Sequence, residues 1–413
     1  MKSSLTLLLL FSMFAFLTFA AGNAADEPII VDHTCTDLPQ VPDQWITEAK
    51  SALHICYGHT SHGSQVTDGM TGLVSFTGGC GGPQFAWNYG GSGGALDLHD
   101  GGMPGDCGYY PDWVNHTRTY LDNPANSNCN VIIWSWCGQH SGYSEQNMID
   151  YYLAPMTQLE LDYPHVQFVY MTGHLNYWSK LNTDARNQQI RDYCIANNKI
   201  LYDFAHIESY DPDDTYFEYA NDDCSYWDEY GVLQGNWAEE WQAAHVLDVE
   251  WYNCPCAHSR ALNGNQKAYG AWWLWTRIAG WPGVETLKSD TDQISASSGG
   301  SVDFDLDAGH LYAGREYILV ATMSGTTPGT LLPGGLATIP INRDWLTDFV
   351  LGHLGHNYFT NFHGNLDNDG LAAAQLNTGT LQPSWVGSTL HFAYATANPW
   401  DFASNAVAAT IVP

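Results

Sequence analysis

Apolar residues in the first two-thirds of the chain occur in short runs that end at glycine or at a polar residue, which is typical of buried strands. Segments whose apolar positions have helical spacing lie between these runs. Strands that alternate with helices predict a parallel sheet with helices on both faces, which is an α/β fold. We predict strands at 52–57, 95–99, 130–136, 166–171 and 200–204, and helices at 65–76, 145–161, 184–197 and 265–281.

The pattern changes at about residue 285. A segment rich in Ser, Thr, Asp and Gly is followed by short alternating runs separated by turns, and this second part has no cysteine. Such a pattern predicts an all-β module, a sandwich. An acidic, aromatic segment interrupts the first part and is predicted to be an insertion at the rim of the sheet. The predicted units are an α/β domain at 35–284 with its insertion at 206–250, a linker at 285–300 and a β-sandwich at 301–413.

The charge of the chain limits its partners. Of its 413 residues, 13 are Lys or Arg and 44 are Asp or Glu, which gives a formal net charge of −31. Binding to nucleic acid or to an anionic membrane needs clustered cations. We therefore expect neither of these partners.

The first residues predict export. Residues 1–24 read as a secretory signal, since Lys2 precedes an apolar stretch at 5–19 that is too short to cross a bilayer. No later segment is long and apolar enough to be a transmembrane helix. The protein is thus expected to be secreted, either extracellular or at the cell surface. Its ten cysteines, all between 35 and 256, predict disulfides in an oxidising compartment, with the pairing left open.

The stretch after the first predicted strand carries the candidate chemistry. The strand breaks at glycine, and His59, Ser61, His62 and Ser64 follow at once. In open α/β sheets, ligands bind at the carboxyl ends of the strands. A serine at this edge needs a base to become a nucleophile, and the late His258 is the candidate base. We predict Ser61 as the nucleophile, with Ser64 as the alternative.

The order of these features over residues 50–283 resembles the SGNH (GDSL-type) hydrolases. His59-Thr60-Ser61 lies where that family has Gly-Asp-Ser. Gly102 lies where the family has a backbone donor for the oxyanion, and Gly138-Gln139-His140 lies where it has Gly-x-Asn-Asp. The resemblance implies a flavodoxin-like, three-layer parallel sheet and ester hydrolysis. It also implies Ser61 as nucleophile, with Gly102 and Gln139 as oxyanion donors.

Two further segments narrow the resemblance. Gly173-His174-Leu175-Asn176 resembles the Gly-His-Asn-Asp of carbohydrate esterases in that superfamily, which makes His174 and Asn176 secondary candidates. The segment from His258 to Tyr269 resembles the family's His-Pro-x-x-x-Gly-Tyr segment. These similarities imply a polysaccharide or a small acyl ester as the substrate.

The chain departs from the family at the acid of the triad. The family has an aspartate three residues before its histidine, and Pro255 occupies that position here. The nearest preceding carboxylates are Asp248 and Glu250. Loss of the orienting acid can cost several orders of magnitude in rate. The alternative is therefore a catalytically inactive extracellular protein that keeps the fold for glycan binding or a structural surface role. The C-terminal module resembles β-sandwiches appended to exported bacterial proteins, which fits either case.

Metal binding is a separate possibility. The acidic insertion has carboxylates that suit calcium, near Asp211, Asp213 and Asp222, although a solvated acidic loop has the same composition. Zinc held by His59, His62 and His258 is a further alternative, because a catalytic zinc needs three protein ligands. The predicted hydrolysis itself requires no cofactor.

Overall fold

The first part of the chain folds around a parallel sheet of seven strands. The computed structural model describes residues 28–309, 312–335 and 337–413, so the predicted signal at 1–24 lies outside the described residues. The strand order is β1-β7-β6-β5-β2-β4-β3, and every pairing is parallel. This confirms the predicted α/β fold. The strands are β1 Ile29–Val31, β2 His54–Gly58, β3 Trp87–Asn88, β4 Leu96–Met103, β5 Val131–Trp134, β6 Gln167–Met171 and β7 Ile200–Tyr202.

The central strands are apolar throughout because both of their faces are covered. Successive side chains of a strand point to opposite faces of the sheet. Ile55 and Tyr57 pack into one apolar cluster with Ile133, whereas Cys56 and Ile132 pack into another on the opposite face. The sheet is therefore the middle of three layers, which explains why the sequence shows continuous rather than alternating apolar runs.

Helices cover both faces, and the closest packing joins α2 to α9. A Cβ atom at Gly69 would lie 2.0 Å from the carbonyl oxygen of Gly264, so the two helices approach each other too closely for a side chain there. The helices are α1 Asp43–Ala52, α2 Ser64–Ser75, α3 Asp112–Leu121, α4 Glu145–Met148, α5 Ala154–Asp162, α6 Lys180–Ala196, α7 Phe204–Ile207, α8 Trp237–Ala244 and α9 Ala261–Ile278.

The helix predicted at 145–161 is divided by a wide turn. A π-helical segment at Ile149–Leu153 separates α4 from α5. Pro155 lies in the first turn of α5 and has no backbone N–H to donate. A missing N–H donor interrupts the regular series of helical hydrogen bonds, and a single π-helical turn accommodates this interruption.

The acidic insertion at 206–250 is an ordered unit rather than an extended loop. It contains a hairpin of β8 Ser225–Trp227 and β9 Leu233–Asn236, followed by α8. Its buried Trp237 and Cys224 pack with Leu262 of α9. The insertion is thus held against the helix that begins just after His258.

The C-terminal part is a sandwich of two sheets, as the alternating pattern predicts. In β12, Val302, Phe304 and Leu306 are buried and the intervening residues are exposed. One sheet has the order β10-β12-β18-β16 and the other has the order β11-β20-β19-β13-β17. The elements are β10 Leu287–Ser289, β11 Gln293–Ser295, β12 Gly300–Asp307, β13 Glu316–Thr322, β14 Thr330–Leu331, β15 Thr338–Ile339, α10 Trp345–Gly352, β16 Phe359–Thr360, β17 His363–Asn365, β18 Leu371–Thr378, β19 Thr389–Thr396 and β20 Val407–Val412.

The segment predicted as a linker, 285–300, belongs instead to this sandwich. It supplies β10 and β11, which pair with β12 and β20. The physical reason is burial, because Leu287 and Ile294 are almost completely enclosed in the sandwich core. Two isolated apolar residues among polar ones are too weak a signal to reveal strands this short.

Two general expectations concern the whole chain. Among the described residues, no helix is both long enough and apolar enough to cross a membrane. The ten cysteines all lie in the described part and have free thiols in this structure. Disulfide formation after export stays a prediction.

Candidate active site

The carboxyl ends of three neighbouring strands bring a group of polar side chains together. His62 lies in a short turn after β2, Cys137 follows β5 and His174 follows β6. Asp222 reaches them from the acidic insertion, and His258 reaches them from the segment before α9. We call these five residues the His62 cluster. Its place at the sheet edge is the one expected for a ligand site in an open α/β fold.

Local packing fixes the turn that carries His62. The hydroxyl of Tyr57 donates to the carbonyl oxygen of Gly63 at 2.9 Å. A Cβ atom at Gly63 would lie 2.2 Å from Oγ of Ser135, so the turn rests directly on the end of β5. His62 is consequently only 6% exposed. The ring is held by the backbone around it as well as by its own contacts.

The two ring nitrogens of His62 face a carboxylate and a thiol. Nε2 lies 2.9 Å from Oδ2 of Asp222, and Nδ1 lies 3.6 Å from Sγ of Cys137. A carboxylate oxygen only accepts hydrogen bonds, so Nε2 of His62 carries the hydrogen and Nδ1 is left as the acceptor. A thiol, an imidazole and a carboxylate are therefore joined by two successive contacts, which is the order of groups that nucleophilic catalysis uses.

Asp222 is ionised in this setting. Burial opposes its ionisation, but the hydrogen bond from His62 and the nearby histidines outweigh burial, so its pKa lies below the ordinary value. Its other oxygen, Oδ1, accepts a hydrogen bond from Nδ2 of Asn221 at 2.5 Å. The carboxylate is thus charged and anchored on both sides, as an orienting acid requires.

Two histidines besides His62, namely His174 in the cluster and His140 beside it, are neutral. Burial lowers the pKa of His174 to about 3, and its Nδ1 donates to the carbonyl oxygen of Leu175 at 2.6 Å. Burial also lowers the pKa of His140 to about 4, and its ring lies between the carbonyl oxygens of Cys137 and His174. A neutral imidazole has one N–H, so His140 donates to one of these two carbonyls while its ring packs between the segment after β5 and the segment after β6.

Ring orientation bears on whether the cluster holds a metal. His62, His174 and Asp222 bring three possible ligand atoms together. However, the rings of His62 and His174 are stacked 3.8 Å apart with only 7° between their planes. The lone pair of an imidazole nitrogen lies in the ring plane, so two parallel rings do not aim at one ion about 2.0–2.1 Å from each nitrogen. This geometry favours a base over a metal ligand.

The structure brings only two of the three histidines predicted as zinc ligands together. His258 stacks on His62 at 4.3 Å, so these two rings are neighbours. His59 instead places Nε2 2.7 Å from Oδ1 of Asp100, in the second half of β4. A carboxylate partner, rather than the other histidines, thus occupies that nitrogen.

The predicted nucleophile lies beside the cluster, and the predicted base is one of its five residues. Ser61 is exposed and begins the turn that carries His62. Among the described residues, no hydrogen bond joins the Ser61 hydroxyl to His258. The hydroxyl of Ser64, the alternative, donates to Oδ2 of Asp68 at 3.0 Å within its own helix. The pairing of Ser61 with His258 stays a prediction.

The predicted oxyanion donors have different surroundings. Gly102 packs on other groups, since a Cβ atom there would lie 2.7 Å from the His99 ring and 2.8 Å from Sγ of Cys56. Gln139 lies two residues after Cys137 and packs on Gly108, and its buried Oε1 has no protein partner. Gln139 is therefore the candidate donor that lies on the same segment as the thiol.

The remaining secondary candidates have structural contacts. Asn176 caps a short helical turn, because its side chain accepts from the backbone N–H of Ser179. Glu250 accepts from the backbone N–H of Val246 at 2.7 Å. Asp248 is exposed and has a positive φ of 62°. Neither Asp248 nor Glu250 is hydrogen-bonded to His258 in the described part of the chain, and Asp222 is the carboxylate at the site instead.

The carboxylates proposed for calcium have separate partners. Oδ1 of Asp211 accepts from the backbone N–H groups of Asp213 and Thr215. Oδ2 of Asp213 accepts from the Trp241 indole at 2.9 Å, while Asp222 faces His62. Calcium in the insertion stays a prediction.

A buried ion pair is hydrogen-bonded to the segment that carries His174. Nζ of Lys267 lies 2.6 Å from Oε2 of Glu208 and 2.5 Å from Oε1 of Gln65, and the ion pair is 0% exposed. Glu208 also accepts a hydrogen bond from the backbone N–H of Leu175, next to His174. The network thus connects α9 and α2 to the segment that carries His174.

Sequence reasoning missed Cys137 and considered Asp222 only as one of the carboxylates suited to calcium in the acidic insertion. Cys137 directly follows the apolar run of β5, at the same sheet edge as His62, and this position was a usable signal. The contact of Asp222 was hidden, because it lies 160 residues from His62 and depends on how the insertion folds back.

A scan against models of known protein families finds no match for this chain. A search of curated proteins finds none either.

Proposed function

We propose that the protein is an acyl hydrolase in which Cys137 is the nucleophile, His62 is the base and Asp222 orients the base. The observation that carries the proposal is the chain of contacts from Sγ of Cys137 to Nδ1 of His62, and from Nε2 of His62 to Oδ2 of Asp222. The exposure of Cys137 is intermediate, so the residue is partly accessible to a substrate.

The proposed reaction needs only these groups and water. Nδ1 of His62 takes the proton of the Cys137 thiol, and the thiolate attacks the carbonyl carbon of an ester. The tetrahedral intermediate collapses to a thioester on Cys137, and His62 gives its proton to the departing alkoxide oxygen. Water then attacks the thioester, with His62 accepting a proton, and releases the carboxylic acid and the thiol. Asp222 stabilises the imidazolium that forms in each step.

Stabilisation of the oxyanion is the largest remaining requirement. We propose Gln139 for this role, because it lies on the turn that begins at Cys137 and follows the nucleophile by two residues. Gly102 is less favoured, since it packs on His99 and Cys56 rather than beside the thiol.

The substrate proposed from the sequence is an acylated carbohydrate, and the surface beside the cluster supports it. Tyr177 stacks on Trp227 at 4.1 Å, and Trp178 is 77% exposed. The backbone N–H of Tyr177 donates to Oδ1 of Asn221, the residue next to Asp222. Aromatic faces of this kind suit an uncharged sugar ring, and the net charge of −31 disfavours an anionic one.

A serine-dependent hydrolase of SGNH type is the second candidate. The parallel sheet and the exposed position of Ser61 at the end of β2 favour it. In that case Ser61 attacks the ester and a histidine of the cluster, either His62 or the predicted His258, takes its proton. The two candidates share the reaction and the edge of the sheet, and they differ in the attacking atom.

Hydrolysis of p-nitrophenyl acetate and of an acetylated oligosaccharide tests the proposal on the whole exported chain. Cys137→Ala should abolish turnover, whereas Ser61→Ala and the control Cys80→Ala, at another half-buried thiol, should retain it. Loss in Ser61→Ala with retention in Cys137→Ala would establish the serine candidate instead. Absence of turnover in the folded wild type on both substrates would overturn both and leave the glycan-binding alternative.

A further inference from the structure

A second group of histidines and carboxylates lies at the outer edge of the same sheet. Asp32 and His33 directly follow the edge strand β1, and His206 lies in α7 after the adjacent strand β7. These three residues bring their possible ligand atoms within 4.8 Å of one another. We call them the His33 cluster. The reaction proposed above does not use any of them.

The distances in the His33 cluster are close to those of a coordination site. Nδ1 of His33 lies 3.0 Å from Nδ1 of His206, and Oδ2 of Asp32 lies 3.8 Å from the same nitrogen of His206. Around a tetrahedral zinc, two nitrogens at about 2.0–2.1 Å from the ion are about 3.3 Å apart. A small adjustment of these side chains therefore places all three atoms around one ion.

The ring planes also permit coordination. His33 and His206 meet edge to face, with 62° between their planes and 4.7 Å between their centroids. Lone pairs that lie in two inclined ring planes can meet at one point between the nitrogens. This is the property that the parallel rings of His62 and His174 lack.

The surroundings hold the donors in place. Oδ1 of Asp32 accepts from the backbone N–H and hydroxyl of Thr34, which leaves Oδ2 on the side of the histidines. Tyr210 stacks on His33 at 3.6 Å and fixes its ring. Nε2 of His33 lies 3.9 Å from Oδ1 of Asp214. A carboxylate behind the second nitrogen is the usual partner of a metal-bound histidine.

A cleft adjoins the His206 side of this group. His206 and Tyr210 line a cleft of about 480 Å³, together with side chains of α6 such as Asp184 and Arg191. An ion held by three protein ligands keeps a fourth position for water, and the cleft supplies room for it.

We propose that Asp32, His33 and His206 bind a divalent transition-metal ion, with zinc as the best match. Two imidazole nitrogens and one carboxylate oxygen suit zinc and neighbouring first-row ions rather than calcium or magnesium, which take oxygen ligands. Because the ligands come from the segment after β1 and from α7, the ion fastens the edge strand to the helix beside it. Asp214 acts behind His33 and tunes the affinity.

Cobalt and zinc titrations of the full chain test this site directly. After removal of metal with a chelator, binding is followed by calorimetry and by the visible absorption of bound Co²⁺. His33→Ala and His206→Ala should each lose at least 100-fold in affinity and lose the tetrahedral Co²⁺ spectrum. Asp214→Asn should weaken binding by about 10–100-fold. Mutating the carboxylate behind a metal-bound histidine typically has an effect of this size.

Two matched variants separate this site from other histidines. His62→Ala, in the other cluster, and His165→Ala, at an exposed histidine, should bind as the wild type does. Wild-type binding by His33→Ala and His206→Ala, with the metal-free variants folded by circular dichroism, would overturn the proposal. Loss of binding only in His62→Ala would also overturn it, because the ion would then belong to the His62 cluster.

Discussion

The two histidine clusters use similar residues and present opposite geometries. Both lie beyond the carboxyl ends of strands of one parallel sheet, the His62 cluster at the central strands and the His33 cluster at the edge strand. In the first, His62 and His174 are stacked with 7° between their planes. In the second, His33 and His206 are inclined by 62°.

This difference shows that composition alone does not assign a role to a histidine cluster. An imidazole that faces a thiol through one nitrogen and a carboxylate through the other is arranged to move a proton. Two imidazoles whose in-plane lone pairs converge are arranged to hold an ion. The comparison therefore predicts that variants of the His62 cluster change turnover, whereas variants of the His33 cluster change metal affinity.

The largest expected effect is at Cys137. Removing the nucleophile of a comparable triad costs on the order of 10⁶-fold in turnover, because the covalent step is lost. We expect Cys137→Ala to fall to the background rate and His33→Ala to keep at least half of the wild-type rate. Initial rates of ester hydrolysis, measured with matched protein concentrations, check this. Equal losses of turnover in both variants would contradict the separate roles proposed for the two clusters.

Asp222→Asn is expected to have the next largest effect. The amide keeps the shape of the carboxylate but does not stabilise the imidazolium of His62, and the corresponding change in serine proteases costs about 10⁴-fold. The comparison between the clusters also predicts strong non-additivity, because Cys137 and Asp222 act through one ring. The double variant should therefore be no slower than Cys137→Ala. The matched control is Asp214→Asn, which should leave turnover unchanged.

A third variant tests what the two clusters share. Lys267→Met leaves Glu208 buried and unpaired, which is expected to cost about 3–5 kcal/mol of unfolding free energy. Glu208 directly follows α7, which carries His206, and it also binds the backbone beside His174. Urea denaturation should show the loss, and the double variant Lys267→Met with Glu208→Gln should recover much of it. A loss below about 1 kcal/mol in Lys267→Met would mean that the pair is not the common support.

The fold could be predicted from the sequence more completely than the site. Apolar runs such as Asn130–Trp136 and the alternation in Val302–Leu306 are local signals, so the parallel sheet and the sandwich follow from them. The site depends on contacts between distant segments. His62 and Asp222 are 160 residues apart, and their pairing requires the insertion to fold back over the sheet edge. Sequence spacing shows neither how the insertion folds back nor the angle between two imidazole rings.

The smallest of these predicted effects concerns pH and the neutral histidine between the two segments of the His62 cluster. Burial lowers the pKa of His140 to about 4, against about 6.5 in an unfolded chain, with the backbone carbonyls of Cys137 and His174 and the ring of His62 as its polar neighbours. Between these two values the unfolded chain binds a proton that the folded chain refuses. The stability from this group is therefore complete above pH 6.5 and is lost progressively as the pH falls to 4.

That loss amounts to about 3 kcal/mol, from about 2.5 pKa units at 1.36 kcal/mol each. His140→Gln has no titrating group, so its unfolding free energy should fall less steeply over this pH range than that of the wild type. Exposed His165→Gln should keep the wild-type slope. Denaturation curves at pH 7.0, 5.5 and 4.5 in the presence of a chelator measure the slopes without a contribution from bound metal. If His140→Gln and the wild type had the same slope, the proton would be taken up elsewhere, and His140 would not be the neutral link between the segments after β5 and β6.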